Sequence, residues 1–200
     1  SSTGHLIIVN QWLSFGKQFT QMFDIVIQLG AIVAVIAYFN SRIWPFSKSA
    51  NKKEVFALWR KVLVAVLPAL VIGFFLDDII EARLFNPIVV AVALIIGGVA
   101  LILLEKRKLN TKINSIAQMG YKTAFAIGLI QCVAMVPGVS RSAATIIGAM
   151  LLGASRIVAA EFSFFLAIPT IVAASGYTLL KNGLTMTGAE TFILLTGFVT

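Results

Sequence analysis

Long apolar runs separated by short polar segments dominate the chain. A helix needs about 20 apolar residues to cross a hydrocarbon core that is about 30 Å thick. The runs close to this length are residues 23–39, 59–76, 87–104 and 157–180. A further apolar segment begins near Glu190. The pattern predicts an all-α, polytopic integral membrane protein.

Two shorter apolar runs, residues 123–136 and 142–153, lie on either side of Pro137 and Gly138. A helix of about 14 residues extends about 21 Å and therefore ends within the membrane. Proline ends the first helix, and glycine permits a tight turn. We therefore predict a re-entrant helical hairpin, whose irregular tip must be covered by protein or water.

The charged residues lie mainly between the apolar runs and predict the orientation of the protein. Residues 40–61 are basic and contain Arg42, Lys48, Lys52, Lys53, Arg60 and Lys61 against Glu54. Residues 105–122 are also basic. The predicted loop after residue 76 is acidic and contains Asp77, Asp78 and Glu81 with Arg83. Because short cytoplasmic loops are enriched in Lys and Arg, the basic segments are predicted to be cytoplasmic and the acidic loop external.

Composition excludes a soluble domain. The chain is 59% hydrophobic and 12% charged, with a mean hydropathy of +0.96. Its net charge of +8 lies in short loops, so it sets orientation and predicts no nucleic-acid partner. The single cysteine, Cys132, excludes an intrachain disulfide and a cysteine-based metal site. The chain lacks an initiator Met and stops at Thr200 inside an apolar run, which we interpret as a fragment.

The chain also resembles itself at an offset of 139 residues. Residues 1–38 align without a gap with residues 140–177. The identical pairs are Ser1/Ser140, Ile7/Ile146, Ile8/Ile147, Leu13/Leu152, Phe23/Phe162, Ile32/Ile171, Val33/Val172, Ala34/Ala173 and Tyr38/Tyr177. Apolar composition alone would give fewer identities, so the match predicts an internal duplication.

Counted from the loop charges, an odd number of predicted spans separates the two copies. The copies are therefore predicted to have opposite orientations in the membrane. The prediction is a single membrane domain built from two repeats. Residues 1–139 form the first repeat, without its first helix, and residues 140–200 begin the second. Each repeat would contain one re-entrant hairpin, and the two tips would meet near the membrane midplane.

The tip of the predicted hairpin, residues 137–142 (PGVSRS), carries a fixed positive charge on Arg141. An arginine inside a membrane costs several kcal/mol unless it faces protein or water and finds acceptors. Hydroxyl groups on Ser140, Ser142 and Thr145, together with a helix N-terminus, add donors that are typical of a phosphate site. The alternative is a kinked helix that these hydroxyls cap, with Arg141 extending to the interface.

The repeat alignment places a second polar segment, residues 1–5 (SSTGH), on the Arg141 segment. The imidazole of His5 can act as a nucleophile or as a general acid and base, and the Ser1 and Ser2 hydroxyls are further nucleophiles. Arg141 would stabilise charge on the transferring phosphoryl oxygens. Together the segments predict hydrolysis of a phosphate ester or anhydride. The alternative is a hydrogen-bonded structural histidine.

Three segments resemble the motifs of the bacterial undecaprenyl-diphosphate phosphatase family, also called bacitracin resistance proteins. They are residues 1–5, residues 137–142 with Thr145, and residues 161–169 (EFSFFLAIP). The resemblance implies hydrolysis of undecaprenyl diphosphate to undecaprenyl phosphate, which recycles the lipid carrier for peptidoglycan synthesis and confers bacitracin resistance. It also implies an inverted-repeat fold, often dimeric, in the bacterial plasma membrane, with an active site open to the outer face. A divalent cation, Mg or Ca, is implied as cofactor.

The family motifs imply site residues position by position. His5, Ser2 and Arg141 correspond to catalytic positions, and either Ser2 or His5 could attack phosphorus. The implied substrate-binding residues are Ser1, Thr3, Gly138, Ser140, Ser142 and Thr145. The family's Glu-x-x-x-Glu metal pattern would precede Ser1, so no metal ligand is identifiable and the fragment could be inactive. Asp24 and Glu161 are interpreted as interface or capping carboxylates instead.

Two other functions compete with this interpretation. An inverted-repeat transporter or channel for an anionic or lipid-phosphate substrate could use the same broken helices and arginine, although it needs no nucleophile. A second class of membrane lipid phosphatase requires a histidine in a Ser-Arg-x5-His pattern. The residue at that position is Ile147, which argues against that mechanism.

Overall fold

The computed structural model describes residues 17–46, 51–84, 86–107, 109–182 and 188–199. Throughout this part of the chain the regular secondary structure is helical, which confirms the all-α prediction there. The α-helices are α1 (Lys17–Tyr38), α2 (Asn40–Ile43), α3 (Lys52–Leu84), α4 (Pro87–Glu105), α5 (Tyr121–Gln131), α6 (Arg141–Leu151), α7 (Arg156–Asn182) and α8 (Gly188–Val199). Short 3₁₀ turns lie at Ile116–Gln118 and Cys132–Met135.

Among the described residues, three helical stretches are long and apolar enough to cross a membrane, namely Lys52–Leu76, Pro87–Glu105 and Arg156–Tyr177. They match three of the predicted runs. The shorter apolar helices include Tyr121–Met135 and Arg141–Leu151, which flank the turn at Pro137 as the sequence predicts. The protein is therefore a helical membrane protein, and in its described part shorter apolar helices lie beside the long ones.

The prediction of an acidic loop directly after residue 76 is wrong. Helix α3 continues to Leu84, so the backbone of Asp77, Asp78 and Glu81 belongs to its last turns. Hydropathy falls at residue 77, but no glycine or proline interrupts the chain before Pro87. Loss of apolar character marks where a helix can leave the membrane, but the helix itself continues as long as its backbone hydrogen bonds can form.

Helix α7 lies at the centre of the packed core. It packs against α1, α3 and α6, and its Phe162, Phe165 and Leu166 are each 0% exposed. The ring of Phe165 meets that of Phe39, after the end of α1, edge to face with centroids 5.2 Å apart. Burial on this scale fixes α7 firmly, so polar groups that bond to α7 are also held in place.

Helices α3 and α5 approach each other closely at Gly128. A Cβ atom built at this position would lie 2.1 Å from the carbonyl oxygen of Ala65 on α3. No side chain fits at that distance, so the contact requires glycine. The close approach sets the position of Gln131, which ends α5 less than one turn later.

The loop between α4 and α5 is held by a buried lysine. Lys61 on α3 is 6% exposed, although its charge suggested a solvated loop residue. Its Nζ donates hydrogen bonds to the carbonyl oxygens of Ile116 at 2.7 Å and Ala117 at 3.0 Å. These bonds tie the 3₁₀ turn to α3 and compensate part of the cost of burying the ammonium group.

The turn between α5 and α6 depends on Gly138 and Ser140. Gly138 has φ of 94°, in the left-handed region that favours glycine. A Cβ atom there would also lie 2.6 Å from the carbonyl oxygen of Val90 on α4. Two residues later, the Ser140 hydroxyl caps α6 by accepting a hydrogen bond from the Ala143 N–H at 3.3 Å. The turn thereby fixes where α6 begins, and with it the position of Arg141, the first residue of that helix.

Replacing Gly138 with alanine should therefore destabilise the protein. The clash with the Val90 backbone and the left-handed φ together should cost about 1–3 kcal/mol. Thermal unfolding in detergent measures the change. Gly98→Ala is the matched control, because a Cβ atom at Gly98 would meet nothing within 4 Å. Equal unfolding temperatures for the two variants would contradict the prediction.

Candidate functional site

A cavity of about 330 Å³ lies between α3, α5, α6 and α7. Most of its wall is apolar and includes Val66, Leu70, Phe74 and Met135. Four further lining residues carry polar groups, namely Gln131, Arg141, Thr170 and Tyr177 with its hydroxyl. A mostly apolar wall with a few polar groups fits an amphiphilic ligand whose polar head is recognised by those groups.

Arg141 is the first residue of α6, and its half-buried side chain lines this cavity. Among the described residues it forms no ion pair and donates no side-chain hydrogen bond. A guanidinium offers five N–H donors and remains charged at any physiological pH. The cavity therefore contains an uncompensated positive charge, which favours an anionic ligand with several acceptor oxygens.

The hydroxyl groups around Arg141 brace the start of α6. Ser140 Oγ lies 3.1 Å from Ser142 Oγ. Thr145, which is 1% exposed, donates to the carbonyl oxygen of Arg141 at 3.0 Å and lies 2.6 Å from Ser163 Oγ on α7. The Thr145 hydroxyl thus links the backbone of Arg141 to the fixed central helix. The predicted contacts of Ser140, Ser142, Thr145 and Gly138 with substrate stay predictions, since these residues lie next to the cavity lining and not in it.

Two polar residues of the cavity were missed by the sequence reasoning. Gln131 is 3% exposed, and its Nε2 donates a hydrogen bond to Thr170 Oγ1 at 3.4 Å. Both residues interrupt apolar runs, and polar side chains at membrane depth usually face protein or a cavity. That interruption was the available signal. Isolated Gln and Thr residues without a motif, however, are also common in helix packing.

The first polar segment lies outside the described residues. The predicted roles of Ser1, Ser2, Thr3 and His5 therefore stay predictions without a location. The side chain of Asp24 also lies outside the description. Glu161 on α7 forms an ion pair with Arg42 on α2, which gives that carboxylate a partner between helices.

A divalent cation has no evident ligand set in the described part of the chain. Its side chains include no cluster of three or more His, Cys, Asp or Glu residues that could hold a metal ion. Arg141 and Gln131, the polar groups of the cavity with unused hydrogen-bonding capacity, are one cation and one neutral amide. These residues fit an anion better than a metal ion.

Comparison with known proteins gives the family. The family described as "Bacitracin resistance protein BacA" matches residues 1–200. The whole chain aligns at 51% identity with 76% of the undecaprenyl-diphosphatase of Lachnoclostridium phytofermentans. It aligns at 50% identity with 74% of undecaprenyl-diphosphatase 1 of Clostridioides difficile. An undecaprenyl-diphosphatase of Enterococcus faecalis is 46% identical over 98% of the chain and 75% of its own length. The chain belongs to the bacitracin resistance protein BacA family.

Proposed function

We propose that the protein hydrolyses undecaprenyl diphosphate to undecaprenyl phosphate and inorganic phosphate. The reaction recycles the lipid carrier for peptidoglycan synthesis and confers resistance to bacitracin. The observation that carries this function is the guanidinium of Arg141, which lines an apolar cavity and has no side-chain partner in the described part of the chain. The relatives of the chain are undecaprenyl-diphosphatases. The guanidinium suits the diphosphate, and the apolar wall suits the prenyl chain.

The chemistry assigned to these residues is displacement at the terminal phosphorus. Arg141 binds the phosphoryl oxygens and stabilises the charge that develops there. Ser2 or His5 supplies the nucleophile or the proton transfer. The bond between the bridging oxygen and the terminal phosphorus breaks, and its electron pair leaves with undecaprenyl phosphate. Water finally takes the place of the nucleophile on phosphorus, and inorganic phosphate is released.

The proposal includes a duplicated fold with two re-entrant hairpins and inverted repeats. Helices α1 and α7 support it, because residues 17–38 and 156–177 correspond at the offset of 139 and are helical in both copies. The two helices also pack against each other, as equivalent elements beside a pseudo-twofold axis do. The division at residues 139 and 140 follows from the same alignment.

We place the protein in the bacterial plasma membrane, with the active site open to the outer face. In this orientation the basic segments, residues 40–61 and 105–122, lie on the cytoplasmic side. A homodimer and a requirement for Mg or Ca complete the proposal. Cross-linking in detergent and activity after chelation test these two points.

Release of inorganic phosphate separates this enzyme from a transporter or channel. The full-length protein in detergent should release phosphate from a polyprenyl diphosphate. A carrier would bind or move the same lipid without changing it.

Arg141→Ala should lower kcat/KM at least about 100-fold, which corresponds to about 2.7 kcal/mol of lost transition-state stabilisation. Steady-state phosphate release measures the change. Arg141→Lys keeps the charge but loses the planar pair of donors, so it should recover part of the rate. Near-normal turnover of Arg141→Ala would mean that the arginine serves structure alone.

His5→Ala should lower kcat more than it lowers retention of the lipid, since a group that acts in proton transfer or attack contributes mainly to the transition state. The comparison is turnover against binding of a radiolabelled polyprenyl diphosphate. Equal losses in both quantities would favour a structural role for His5.

Gly73→Leu should raise KM for a long-chain polyprenyl diphosphate about tenfold or more. Gly73 lines the cavity, and a Cβ atom there would make ordinary contact with Met135 Cε at 3.6 Å. The rest of a leucine side chain would occupy space meant for the ligand. Gly98→Leu adds the same side chain where nothing lies within 4 Å and should leave KM unchanged. A normal KM in Gly73→Leu would show that the lipid binds elsewhere.

A further inference from the structure

Gln131 carries a buried hydrogen-bond acceptor that no group in the described part of the chain satisfies. The residue is 3% exposed, and its Oε1 has no hydrogen-bond partner there. An unsatisfied buried carbonyl costs about 1–3 kcal/mol. Such atoms therefore suggest a ligand or water that completes them.

Thr170 fixes which end of the Gln131 amide is unsatisfied. The Thr170 hydroxyl donates its single hydrogen to the carbonyl oxygen of Leu166 at 2.7 Å. Towards Gln131 it can then only accept, and it accepts from Nε2 at 3.4 Å. Rotating the amide would place two acceptors against each other. The free end is consequently Oε1.

Gln131 and Arg141 carry opposite hydrogen-bonding groups, and both side chains line one cavity, although Oε1 itself is covered by neighbouring atoms. The guanidinium can only donate, and Oε1 can only accept. The two side chains line the same space but are not bonded to each other. A ligand that contacts both must accept hydrogen bonds from Arg141 and donate one to Gln131. A fully deprotonated tetrahedral anion cannot donate, whereas a phosphate that keeps one hydrogen can do both.

We propose that Gln131 is a specificity-determining residue whose Oε1 accepts a hydrogen bond from the P–OH group of a protonated phosphate held by Arg141. This inference rests on the proposed function and adds the protonation state that the site selects. The group bound would be the terminal phosphate of the substrate and, after cleavage, inorganic phosphate. Near pH 7 inorganic phosphate always carries at least one hydrogen. No bond to phosphorus changes in this contact.

Sulfate is the probe that isolates the contact, because it matches the shape and the double negative charge of hydrogen phosphate but carries no hydrogen. Dissociation constants for the two anions can be obtained from their protection of the full-length protein against thermal unfolding in detergent. The wild-type protein should bind phosphate at least about tenfold more tightly than sulfate, which corresponds to about 1.4 kcal/mol.

Two glutamine-to-methionine variants test whether the side-chain amide of Gln131 causes the preference for phosphate over sulfate. Gln131→Met has a side chain of similar length without the acceptor, and it should reduce the preference for phosphate below about threefold. Gln118→Met makes the same change at an exposed glutamine outside the cavity and should leave the preference intact. Arg141→Lys should weaken the binding of both anions, since both accept from the guanidinium.

Equal binding of phosphate and sulfate by the wild-type protein would overturn the inference. It would mean that Oε1 of Gln131 contacts a bridging water or a cation and not a P–OH group, because neither of these distinguishes the two anions. A preference that survives in Gln131→Met would overturn it as well. Should that variant fail to fold, the wild-type comparison of the two anions decides alone. Phosphate release from a polyprenyl diphosphate is measured separately. A preference for phosphate without such release would reject the proposed function and retain the role of Gln131.

Discussion

The structure depends on one electrostatic constraint, which is the presence of a permanent positive charge inside an apolar cavity. Arg141 cannot lose its proton under physiological conditions, and the apolar wall around it offers little compensation. A charge in such a place needs hydrogen-bond acceptors, and in the function we propose these are the phosphate oxygens of the substrate. The bound anion would then supply the partners that the guanidinium lacks among the described residues.

The surrounding elements hold that charge in a defined position. Gly138 makes the turn that starts α6, and Thr145 links the backbone of Arg141 to Ser163 on α7. On the same central helix, the Thr170 hydroxyl accepts a hydrogen bond from Nε2 of Gln131. Ser163 and Thr170 are seven residues apart, so they lie on one face of α7, two turns from each other. One face of α7 therefore positions both the amide of Gln131 and the backbone of Arg141.

Hydropathy predicted the long helices, because an apolar run of sufficient length has few alternatives to crossing the membrane. Pro87–Glu105 and Arg156–Asn182 lie within a few residues of the predicted runs. The same reasoning placed a loop after residue 76, where α3 continues. The same reasoning placed Lys61 in a solvated loop, whereas its ammonium group donates hydrogen bonds to backbone carbonyls inside the protein. A change in polarity identifies the boundary of the membrane and says little about the hydrogen bonds of the backbone.

The sequence by itself determined the helical membrane class and the position of Arg141 at the turn where the second of two short helices starts. A motif of proline, glycine, hydroxyl groups and arginine has a chemical meaning that does not depend on distant residues. The cavity and the unsatisfied oxygen of Gln131 were decided by the tertiary structure alone. Gln131, Arg141 and Thr170 lie on three different helices, and their convergence follows from packing. An isolated glutamine in an apolar run gives no sign of its future neighbours, since packing brings together residues that no local pattern connects.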